Sequence, residues 1–415
     1  MDKSNLLAAL DVGTSKVAVI VAEPNSEGAV KICGLGSTRS EGVRSGVVVD
    51  IGAAVGSIRA AIDEAERTSG LHITDVYTAC EDYRLRFVNN VGATPVRGPE
   101  IGQSDVDAAV ANAKEVKLKS GEQVLKILIQ EFAVDGEGGI LKPMGMTGNR
   151  LEASIHVACG SPTTATNLLR CVRRSGVEVA HWTVPVWASA WAVLTPSERD
   201  LGVCLIDFGG GTVDVTVYIR NVVWFTAIVP LGGSAVTKDI AALYQLDEKA
   251  AELVKLRFGG ADASRYRACD VINPAELLHA DTPVGEARVI AQQELAEVIE
   301  ARLREILKIV REMLKWTGLD QRIPAGVVFT GGVSQTEGFL KLARSVFEQH
   351  CRIGSPDIGQ TIGGTGSSPA WSTAVGLLRE AARDAMLHRK AMDSGKMHMG
   401  RGTWETIKRW FIGNY

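Results

Sequence analysis

The chain has 415 residues, of which 46% are hydrophobic and 22% are charged. This composition excludes a disordered chain and a coiled-coil rod, and the length predicts two or three domains. The net charge of −3 argues against binding of nucleic acid over the whole surface. Residues 383–415 nevertheless carry seven Lys or Arg and three acids, a local charge of +4 that leaves −7 elsewhere. That asymmetry predicts an anionic partner for the C-terminal segment.

The cysteines and the apolar runs favour a reducing compartment and a chain without a membrane span. The seven cysteines are scattered, and no two of them form a C-x-x-C pair. A disulfide framework or a structural zinc site is therefore not expected. We expect no signal peptide, because Asp11 and Lys16 interrupt the first apolar run. No uncharged apolar stretch reaches 18 residues.

The first half of the chain predicts alternating strands and helices. Residues 5–22 have β-branched residues around a glycine turn, which predicts a strand, a turn and a second strand. Helical spacing of apolar residues predicts helices at 50–69, 104–119 and 163–175. Ser104 is a plausible N-cap for the second of these helices. Further strands are predicted over 124–134 and 151–159, with a glycine-rich loop over 135–149 between them.

The second half repeats the opening pattern. Residues 202–219 again predict a strand, a glycine turn and a strand. Beyond them, the predicted elements are a helix over 286–316, a strand over 326–330, a helix to about 349 and a helix over 370–390. D-V-G-T at 11–14 and D-F-G-G at 207–210 begin 196 residues apart, which is a domain-scale distance. The sequence therefore predicts two similar α/β halves that face each other across a cleft.

The two glycine turns have the chemistry of a polyphosphate site. Glycine lets the backbone approach a ligand closely, and a tight turn leaves N–H groups available to a phosphate. Because carboxylates repel phosphate, we expect Asp11 and Asp207 to hold Mg²⁺, through water. Phosphate oxygens are the expected partners of Thr14, Ser15, Lys16 and Thr212. The alternative is that D-x-G-T is merely a common β-turn.

Five segments of the chain carry a family resemblance. They are LLAALDVGTSKVAVIVAE, LIDFGGGTVDVTVYI, GVVFTGGVSQTEGF, VPVWASAWAVL and PAWSTAVGLL. Together they resemble the actin-like ATPases, and more closely the FtsA family of bacterial cell-division proteins. The resemblance runs over nearly the whole chain, in order. It implies a two-lobed α/β actin-like fold, a duplicated ribonuclease H-like fold, with an inserted α+β domain called 1C and a C-terminal amphipathic helix.

The resemblance implies ATP and Mg²⁺ as ligands. The nucleotide-binding residues that it implies are Gly13, Thr14, Ser15, Lys16, Gly209, Gly210, Gly211, Thr212, Gly232, Gly233, Glu252, Lys255, Gly331 and Gly332. Of these, Glu252 and Lys255 fit the position that contacts ribose and adenine. Relatives that hydrolyse ATP well orient water with a Gln or Glu near the first connecting helix, and residues 184–190 contain neither. We therefore expect tight ATP binding with slow or negligible hydrolysis, and we assign no catalytic residue.

The resemblance also implies a division into subdomains. The expected boundaries are 1–82 with 162–195 and 365–382 for 1A, 83–161 for 1C, 196–241 with 294–364 for 2A, 242–293 for 2B, 383–402 for a linker and 403–415 for an amphipathic helix. The segment LAEVIEARLREIL resembles the 2B helix that receives the C-terminal peptide of the tubulin-like protein FtsZ. Arg302 would pair with that acidic peptide. A solvated helix face is the alternative for Arg302, and Glu294 stands where some relatives have a basic residue.

The last residues of the chain have the pattern of a helix that lies on a membrane surface. The apolar side chains that share one helical face are Trp404, Ile407, Trp410 and Phe411. Lys408 and Arg409 flank this face, and Thr403 can cap the start of the helix. Aromatic residues flanked by cations fit the bilayer interface. The alternative is a helix that packs on the protein itself or dimerises.

The function that the resemblance implies is that of an adaptor in cell division. The protein would bind ATP, polymerise on the cytoplasmic face of the inner membrane at the division site, and tether the FtsZ ring there. Its expected partners are the FtsZ peptide, further copies of itself, the anionic membrane surface and later division proteins that contact 1C, but no nucleic acid. A pilus-assembly actin-like scaffold similar to PilM and a small-molecule kinase of the same superfamily are the alternatives.

Overall fold

The computed structural model describes residues 6–24, 30–267, 269–274, 289–357 and 366–393. For residues 387–393 it describes the backbone alone. The predicted amphipathic helix at 403–415, with its six proposed membrane contacts, lies outside the described residues. Within them, no helix is both long and apolar enough to cross a bilayer.

Strands and helices follow one another along the chain as a mixed α/β protein. The strands are β1 (Leu7–Val12), β2 (Lys16–Pro24), β3 (Val30–Arg39), β4 (Val43–Arg44), β5 (Val47–Val48), β6 (Asp75–Ala79), β7 (Arg86–Pro95), β8 (Gln123–Val134), β9 (Glu137–Ile140), β10 (Arg150–Gly160), β11 (Glu178–Thr183), β12 (Val203–Phe208), β13 (Val213–Ile219), β14 (Val222–Val229), β15 (Val271–Ile272), β16 (Ile290–Ala291), β17 (Val327–Thr330) and β18 (Cys351–Ile353). The helices are α1 (Ile51–Ser69), α2 (Gln103–Ala113), α3 (Pro162–Arg174), α4 (Pro185–Val193), α5 (Pro196–Leu201), α6 (Gly233–Tyr244), α7 (Glu248–Phe258), α8 (Gln292–Trp316), α9 (Phe339–Phe347) and α10 (Ser372–Asp393).

Two five-stranded sheets with the same layout form the two lobes. The first sheet has the order β11-β6-β1-β2-β3, and the second has the order β14-β13-β12-β17-β18. In each sheet three consecutive strands pair antiparallel, namely β1, β2 and β3 in the first sheet and β12, β13 and β14 in the second. Two parallel strands extend each sheet on the other side, β6 and β11 next to β1, and β17 and β18 next to β12. This repetition confirms the two similar α/β halves that the D-x-G echo predicts.

Helices α4 and α10 join the two lobes. Their apolar residues share one core with both sheets, α10 packing on β1 and α4 on β12. The two helices cross closely at Gly376, where an added Cβ atom would lie only 1.9 Å from the carbonyl oxygen of Ala188. A glycine at this position therefore sets the distance between the helices, and with it the relation of the two lobes.

A third sheet, β7-β10-β8-β9, lies between β6 and α3 in the chain and carries α2 on one face. It rests on β14 of the second sheet through polar contacts. Gln130 Nε2 donates to the carbonyl oxygen of Val223 at 2.6 Å. His156 on β10 contacts Asn89 Oδ1 through Nδ1 at 2.6 Å and Thr226 Oγ1 through Nε2 at 2.9 Å. Both ring nitrogens are thus satisfied in the neutral form, and burial lowers the pKa of His156 to about 3.

Acidification is expected to destabilise the protein through His156. Its folded-state pKa lies below the ordinary 6.5, so the unfolded chain binds the proton more tightly. The stabilisation is complete above pH 6.5 and is lost as the pH falls toward 3, which gives about 2 kcal/mol between pH 7 and pH 5. The raised pKa values of Asp11 and Glu81 act in the opposite direction over this range, so chemical denaturation of the wild type must be compared with that of a His156 variant at both pH values.

Relative to the wild type, a variant with His156→Gln is expected to gain about 2 kcal/mol in the change of unfolding free energy between pH 7 and pH 5. His72→Gln is the matched control, because the His72 side chain is 80% exposed. A His156→Gln protein with the same pH dependence as the wild type would contradict the assignment.

Helix α1 matches its prediction, whereas α2 does not. Asp50 Oδ1 accepts the N–H of Ala53 at the start of α1, and Gly70 ends the helix with a φ of 69°. In α2 the cap is Gly102, whose N–H donates to Asp105 Oδ2 at 2.9 Å, so the prediction of Ser104 as N-cap is wrong. The helix also ends at Ala113 and not at 119, because the side chain of Asn90 on β7 donates to the carbonyl oxygen of Ala113.

Three other boundaries differ from the sequence prediction. Asp135 and Gly136 both have positive φ and form a two-residue turn, so the segment predicted as a loop contains strand β9. Ile290 pairs with Ile272 in a small sheet, so the long helix begins at Gln292 and not at 286. Helix α10 continues to Asp393, three residues beyond the predicted end at 390.

Candidate functional site

Two turns of matched geometry lie at the ends of the central hairpins. Turn 1 (residues 13–15) joins β1 to β2, and turn 2 (residues 209–212) joins β12 to β13. Gly13 N donates to the carbonyl oxygen of Lys16 at 3.0 Å, and Gly209 N donates to that of Thr212 at 3.0 Å. The same backbone hydrogen bond therefore closes both turns, as expected for a duplicated element.

The two turns contact each other. A Cβ atom on Gly210 would lie 2.0 Å from Ser15 Oγ, and one on Gly211 would lie 2.4 Å from Thr14 Oγ1. A side chain at either glycine would therefore have to displace the hydroxyl of turn 1 that faces it. Ser45, in the hairpin of β4 and β5, adds a hydrogen bond from Oγ to the carbonyl oxygen of Gly211 at 3.2 Å. The fold therefore brings both predicted phosphate-binding turns to one place.

Asp207 is held in a fixed position by the two helices that join the lobes. Ser189 Oγ on α4 donates to Asp207 Oδ2 at 2.6 Å, and Thr373 Oγ1 on α10 lies 3.4 Å from the same oxygen. Burial raises the pKa of Asp207, while these two hydroxyls and the charge of Lys16 oppose the rise. The crossing of α4 and α10 thereby orients one of the two acids predicted to hold metal.

Asp11 and Lys16, together with Asp207, form a charged centre. Burial raises the pKa of Asp11 to about 6, with Lys16 opposing the rise and Asp207 adding to it. Burial lowers the pKa of Lys16 to about 8, although the negative charges of Asp11 and Asp207 act to raise it. Lys16 Nζ donates to the carbonyl oxygen of Ala370 at 2.8 Å and lies 4.1 Å from the centre of the Trp371 ring. The centre thus contains the buried Asp207, the half-buried Asp11 and the cation Lys16, whose charge opposes the rise in the pKa of both acids.

Two further acids reach this centre that the sequence did not single out. Asp214 lies opposite Asp207 in the β12–β13 register and is 4% exposed, and burial raises its pKa well above the ordinary value. Because a four-residue turn joins β12 to β13, antiparallel pairing places Asp214 opposite Asp207, so the sequence predicts this position. Glu81 follows β6, and burial raises its pKa to about 7 while a hydrogen bond from Thr212 opposes the rise. Glu81 has no local signal, since it reaches the site only through the fold.

The N-terminus of α6 and one face of α7 adjoin turn 2. Gly233 N donates to the carbonyl oxygen of Gly209 at 3.0 Å, and a Cβ atom on Gly232 would lie 2.7 Å from the same oxygen. Lys255 Nζ donates to the carbonyl oxygen of Gly233 at 3.1 Å and pairs with Glu252 Oε2 at 2.6 Å. The residues predicted to contact ribose and adenine therefore lie beside the second phosphate turn.

The glycine pair after β17 closes the site from a third side. Gly331 has a φ of 85°, and a Cβ atom there would lie 2.4 Å from Asp207 Oδ1. Gly332 begins a short 3₁₀ turn that leads toward α9. This position therefore requires glycine both for its backbone conformation and for its distance from the acid.

Arg302 lies on α8, where its guanidinium is paired within the protein. Nη2 lies 2.8 Å from Asp239 Oδ1, and Nη1 lies 2.6 Å from Glu305 Oε2. The side chain is 29% exposed. A peptide carboxylate would have to share this guanidinium with two internal acids, and the role of Arg302 in partner binding stays a prediction.

The charged centre fits Mg²⁺ better than a metal that needs a full set of protein ligands. In the described part of the chain, no three His, Cys, Asp or Glu side chains are placed to hold a metal ion. Mg²⁺ retains several waters and is commonly bound through one or two carboxylates. The charge of Asp207 raises the pKa of Asp11, so a cation between these two acids relieves their repulsion.

Comparison with known sequences identifies the family. The sequence model described as "Cell division protein FtsA" matches residues 204–376, and the one described as "SHS2 domain inserted in FTSA" matches residues 83–159. The cell division protein FtsA of Pseudomonas aeruginosa is 34% identical, with 100% of this chain and 99% of that protein covered. The chain belongs to the FtsA family. The FtsA of Escherichia coli strain K12 is 35% identical, with 97% of this chain and 96% of that protein covered.

Solved structures show the same fold at much lower identity. A PilM–PilN type IV pilus biogenesis complex contains a chain that superposes with a TM-score of 0.64 at 16% identity, covering 91% of this chain and 98% of its own. An MreB protein of Spiroplasma citri bound to AMPPNP gives 0.52 at 14%, covering 94% and 99%. These likenesses confirm the predicted actin-like fold. With the FtsA relatives, they make this chain an actin-like cell-division protein.

Proposed function

We propose that turn 1 and turn 2 bind ATP with Mg²⁺ between the two lobes. The observation that carries the proposal is the pair of matched glycine turns in contact, each with an acid on the strand before it. Asp11 and Asp207 hold the Mg²⁺, which neutralises phosphate charge. Phosphate oxygens are bound by the backbone N–H groups of the turns and by the side chains of Thr14, Ser15, Lys16 and Thr212.

The adenosine part of the nucleotide occupies the corner beyond turn 2. Its contacts are Gly232, Gly233, Glu252, Lys255, Gly331 and Gly332. In support, Lys255 and Glu252 are already oriented by Thr237 and by the carbonyl oxygen of Gly233. A preformed pocket of this kind loses little side-chain entropy when it binds its ligand.

ATP binding is tight and hydrolysis is slow or negligible. The α4 side chain at the charged centre is Ser189, whose hydroxyl already donates to Asp207, and no Gln or Glu follows it on that helix. We expect the purified chain to release phosphate at less than about 1 s⁻¹, below an ordinary enzyme turnover. A faster release that depends on Asp207 would contradict this proposal.

The nucleotide serves assembly and not metabolism. Closure of the lobes on ATP favours head-to-tail association, a heterologous contact that does not close and so gives filaments. Many weak tail helices on one filament together bind the cytoplasmic membrane firmly. The surface of α8 around Arg302 then binds the FtsZ peptide, and 1C recruits later division proteins. The protein is thus a peripheral membrane tether at the division site.

Removal of the tail is expected to abolish membrane binding. In a flotation assay with anionic liposomes, ATP and Mg²⁺, the full chain should float, whereas a chain that ends at residue 400 should stay at the bottom. The full chain should also carry purified FtsZ to the liposomes. Equal flotation of both chains would refute the anchor, and FtsZ that stays behind would refute the tether.

A pair of tryptophan variants tests whether the tail acts through its apolar face. Trp410→Glu places a charge on that face and is expected to reduce flotation at least tenfold. Trp316→Glu is the matched control, because Trp316 is 88% exposed at the end of α8 and its replacement should leave flotation unchanged. If both variants float like the wild type, the tail face does not bind the bilayer.

A further inference from the structure

A series of buried hydrogen bonds joins helix α4 to the third sheet through β14. Trp187 on α4 donates through Nε1 to the hydroxyl oxygen of Thr226 on β14 at 3.0 Å. The same hydroxyl lies 2.9 Å from Nε2 of His156 on β10, whose Nδ1 lies 2.6 Å from Asn89 Oδ1 on β7. We call these four side chains the relay. The hydroxyl of Thr226 therefore links the second sheet, the third sheet and a helix that joins the lobes.

The hydrogen bonds of the relay all run in one direction. Asn89 Nδ2 donates to the carbonyl oxygen of Trp224 at 2.9 Å, so Asn89 Oδ1 is an acceptor. His156 must then carry its proton on Nδ1, which leaves Nε2 of the neutral ring to accept the Thr226 proton. The Thr226 oxygen in turn accepts the N–H of Trp187, which can only donate. Because the relay is buried, loss of one member leaves its neighbour without a partner.

The relay holds one side of α4, and the charged centre holds the other. Successive residues of a helix are about 100° apart, so Trp187 and Ser189 point to nearly opposite sides of α4. On one side, Ser189 Oγ donates to Asp207 Oδ2 at 2.6 Å. On the other side, Trp187 reaches the hydroxyl of Thr226. A rotation of α4 about its axis would disturb both contacts, so the position of Ser189 at Asp207 depends on the relay.

We propose that Trp187 and Thr226 are positioning residues for the metal site, and that His156 makes this site depend on the position of the third sheet. With the relay intact, α4 presents Ser189 to Asp207, and the carboxylate keeps the orientation in which it binds Mg²⁺. The inference rests on the proposed function, in which Asp207 holds the Mg²⁺ of ATP. A shift of the third sheet at His156 would then change ATP affinity.

The test compares ATP binding by the full chain in Mg²⁺ and in EDTA, by equilibrium titration. Thr226→Val removes the hydroxyl and keeps the shape of the side chain. We expect it to weaken ATP binding in Mg²⁺ about tenfold, as loss of a group that orients a metal ligand does. In EDTA it should bind ATP like the wild type, because no metal then requires the orientation of Asp207. A merely structural defect would weaken binding equally in both conditions.

Two further threonine variants are the controls. Thr226→Ser restores the hydroxyl and should bind ATP in Mg²⁺ like the wild type. Thr216→Val is the matched control, because Thr216 is buried and lies opposite Thr226 in the β13–β14 register. Its hydroxyl donates to the carbonyl oxygen of Phe225 at 3.1 Å, within the same sheet. This variant should leave ATP affinity unchanged in Mg²⁺ and in EDTA.

His156→Phe tests the part of the third sheet. It removes both ring nitrogens and keeps an aromatic ring against Phe87, on which His156 stacks. We expect weaker ATP binding in Mg²⁺, with a smaller loss than in Thr226→Val, because the hydrogen bond from Trp187 to Thr226 remains. Wild-type affinity in His156→Phe would refute the dependence on the third sheet.

Wild-type affinity of Thr226→Val in Mg²⁺, or an equal loss in Mg²⁺ and EDTA, would overturn the positioning role and leave the proposed function standing. A wild-type chain that binds no ATP in Mg²⁺ would overturn both. If the wild type binds ATP only with Mg²⁺, rescue by Thr226→Ser supports the role and its failure overturns it. If Thr226→Val does not fold, Trp187→Phe, which removes the N–H donor, decides by the same comparison.

Discussion

Replacing Gly376 by alanine is expected to lower the free energy of unfolding by about 3 kcal/mol. The added methyl group would lie 1.9 Å from the carbonyl oxygen of Ala188, a backbone atom of a different helix. No rotamer change can relieve that contact, so α4 and α10 must move apart. Denaturant unfolding of the variant and the wild type measures the loss.

The same substitution in another helix is the control for Gly376→Ala. Gly56 lies on the exposed side of α1, and an added Cβ atom there meets nothing within 4 Å. Gly56→Ala is therefore expected to stabilise the protein by about 0.5–1 kcal/mol through helix propensity alone. If the two variants unfold alike, the close crossing does not set the packing of the lobes.

Replacing Lys16 by methionine is expected to weaken ATP binding about 100-fold. Lys16 Nζ is the cation whose charge lowers the pKa of both Asp11 and Asp207, and it lies at the start of β2, directly after turn 1. Loss of one charge-assisted hydrogen bond to phosphate removes roughly 1.5–3 kcal/mol, which is about one to two orders of magnitude in affinity. The repulsion between the two acids, now without a cation, adds to the loss.

Equilibrium titration with ATP and Mg²⁺ measures the effect of Lys16→Met. Lys341→Met is the control, because Lys341 pairs with Asp262 on the surface and its side chain is 71% exposed. The control should bind like the wild type. Wild-type affinity in Lys16→Met would show that the phosphates do not lie at turn 1.

Local patterns in the sequence predict the parts of the site that depend on local backbone geometry. The two D-x-G motifs predict both hairpins and the matched positions of Asp11 and Asp207, because strand, glycine turn and strand are fixed by neighbouring residues. The apolar periodicity and the terminal Gly70 likewise predict α1. The duplicated layout of the two sheets follows from this echo.

Contacts between distant parts of the chain could not be predicted in this way. Ser189 on α4 and Thr373 on α10 both orient Asp207, although the two residues are 184 positions apart in the sequence. Glu81 adjoins the charged centre from just beyond the end of β6, with no motif around it. The prediction of Ser104 as the cap of α2 is wrong because Gly102 takes that position, where its N–H donates to Asp105 Oδ2 in the first turn of the helix.

The most direct test of the site is a crystal structure of the chain with Mg²⁺ and a non-hydrolysable ATP analogue. We expect the triphosphate between turn 1 and turn 2, with the metal bound to Asp11 and Asp207 directly or through one water. The adenosine should lie against Lys255. A triphosphate bound elsewhere, or no density between the turns at a saturating concentration of the analogue, would contradict the proposed function.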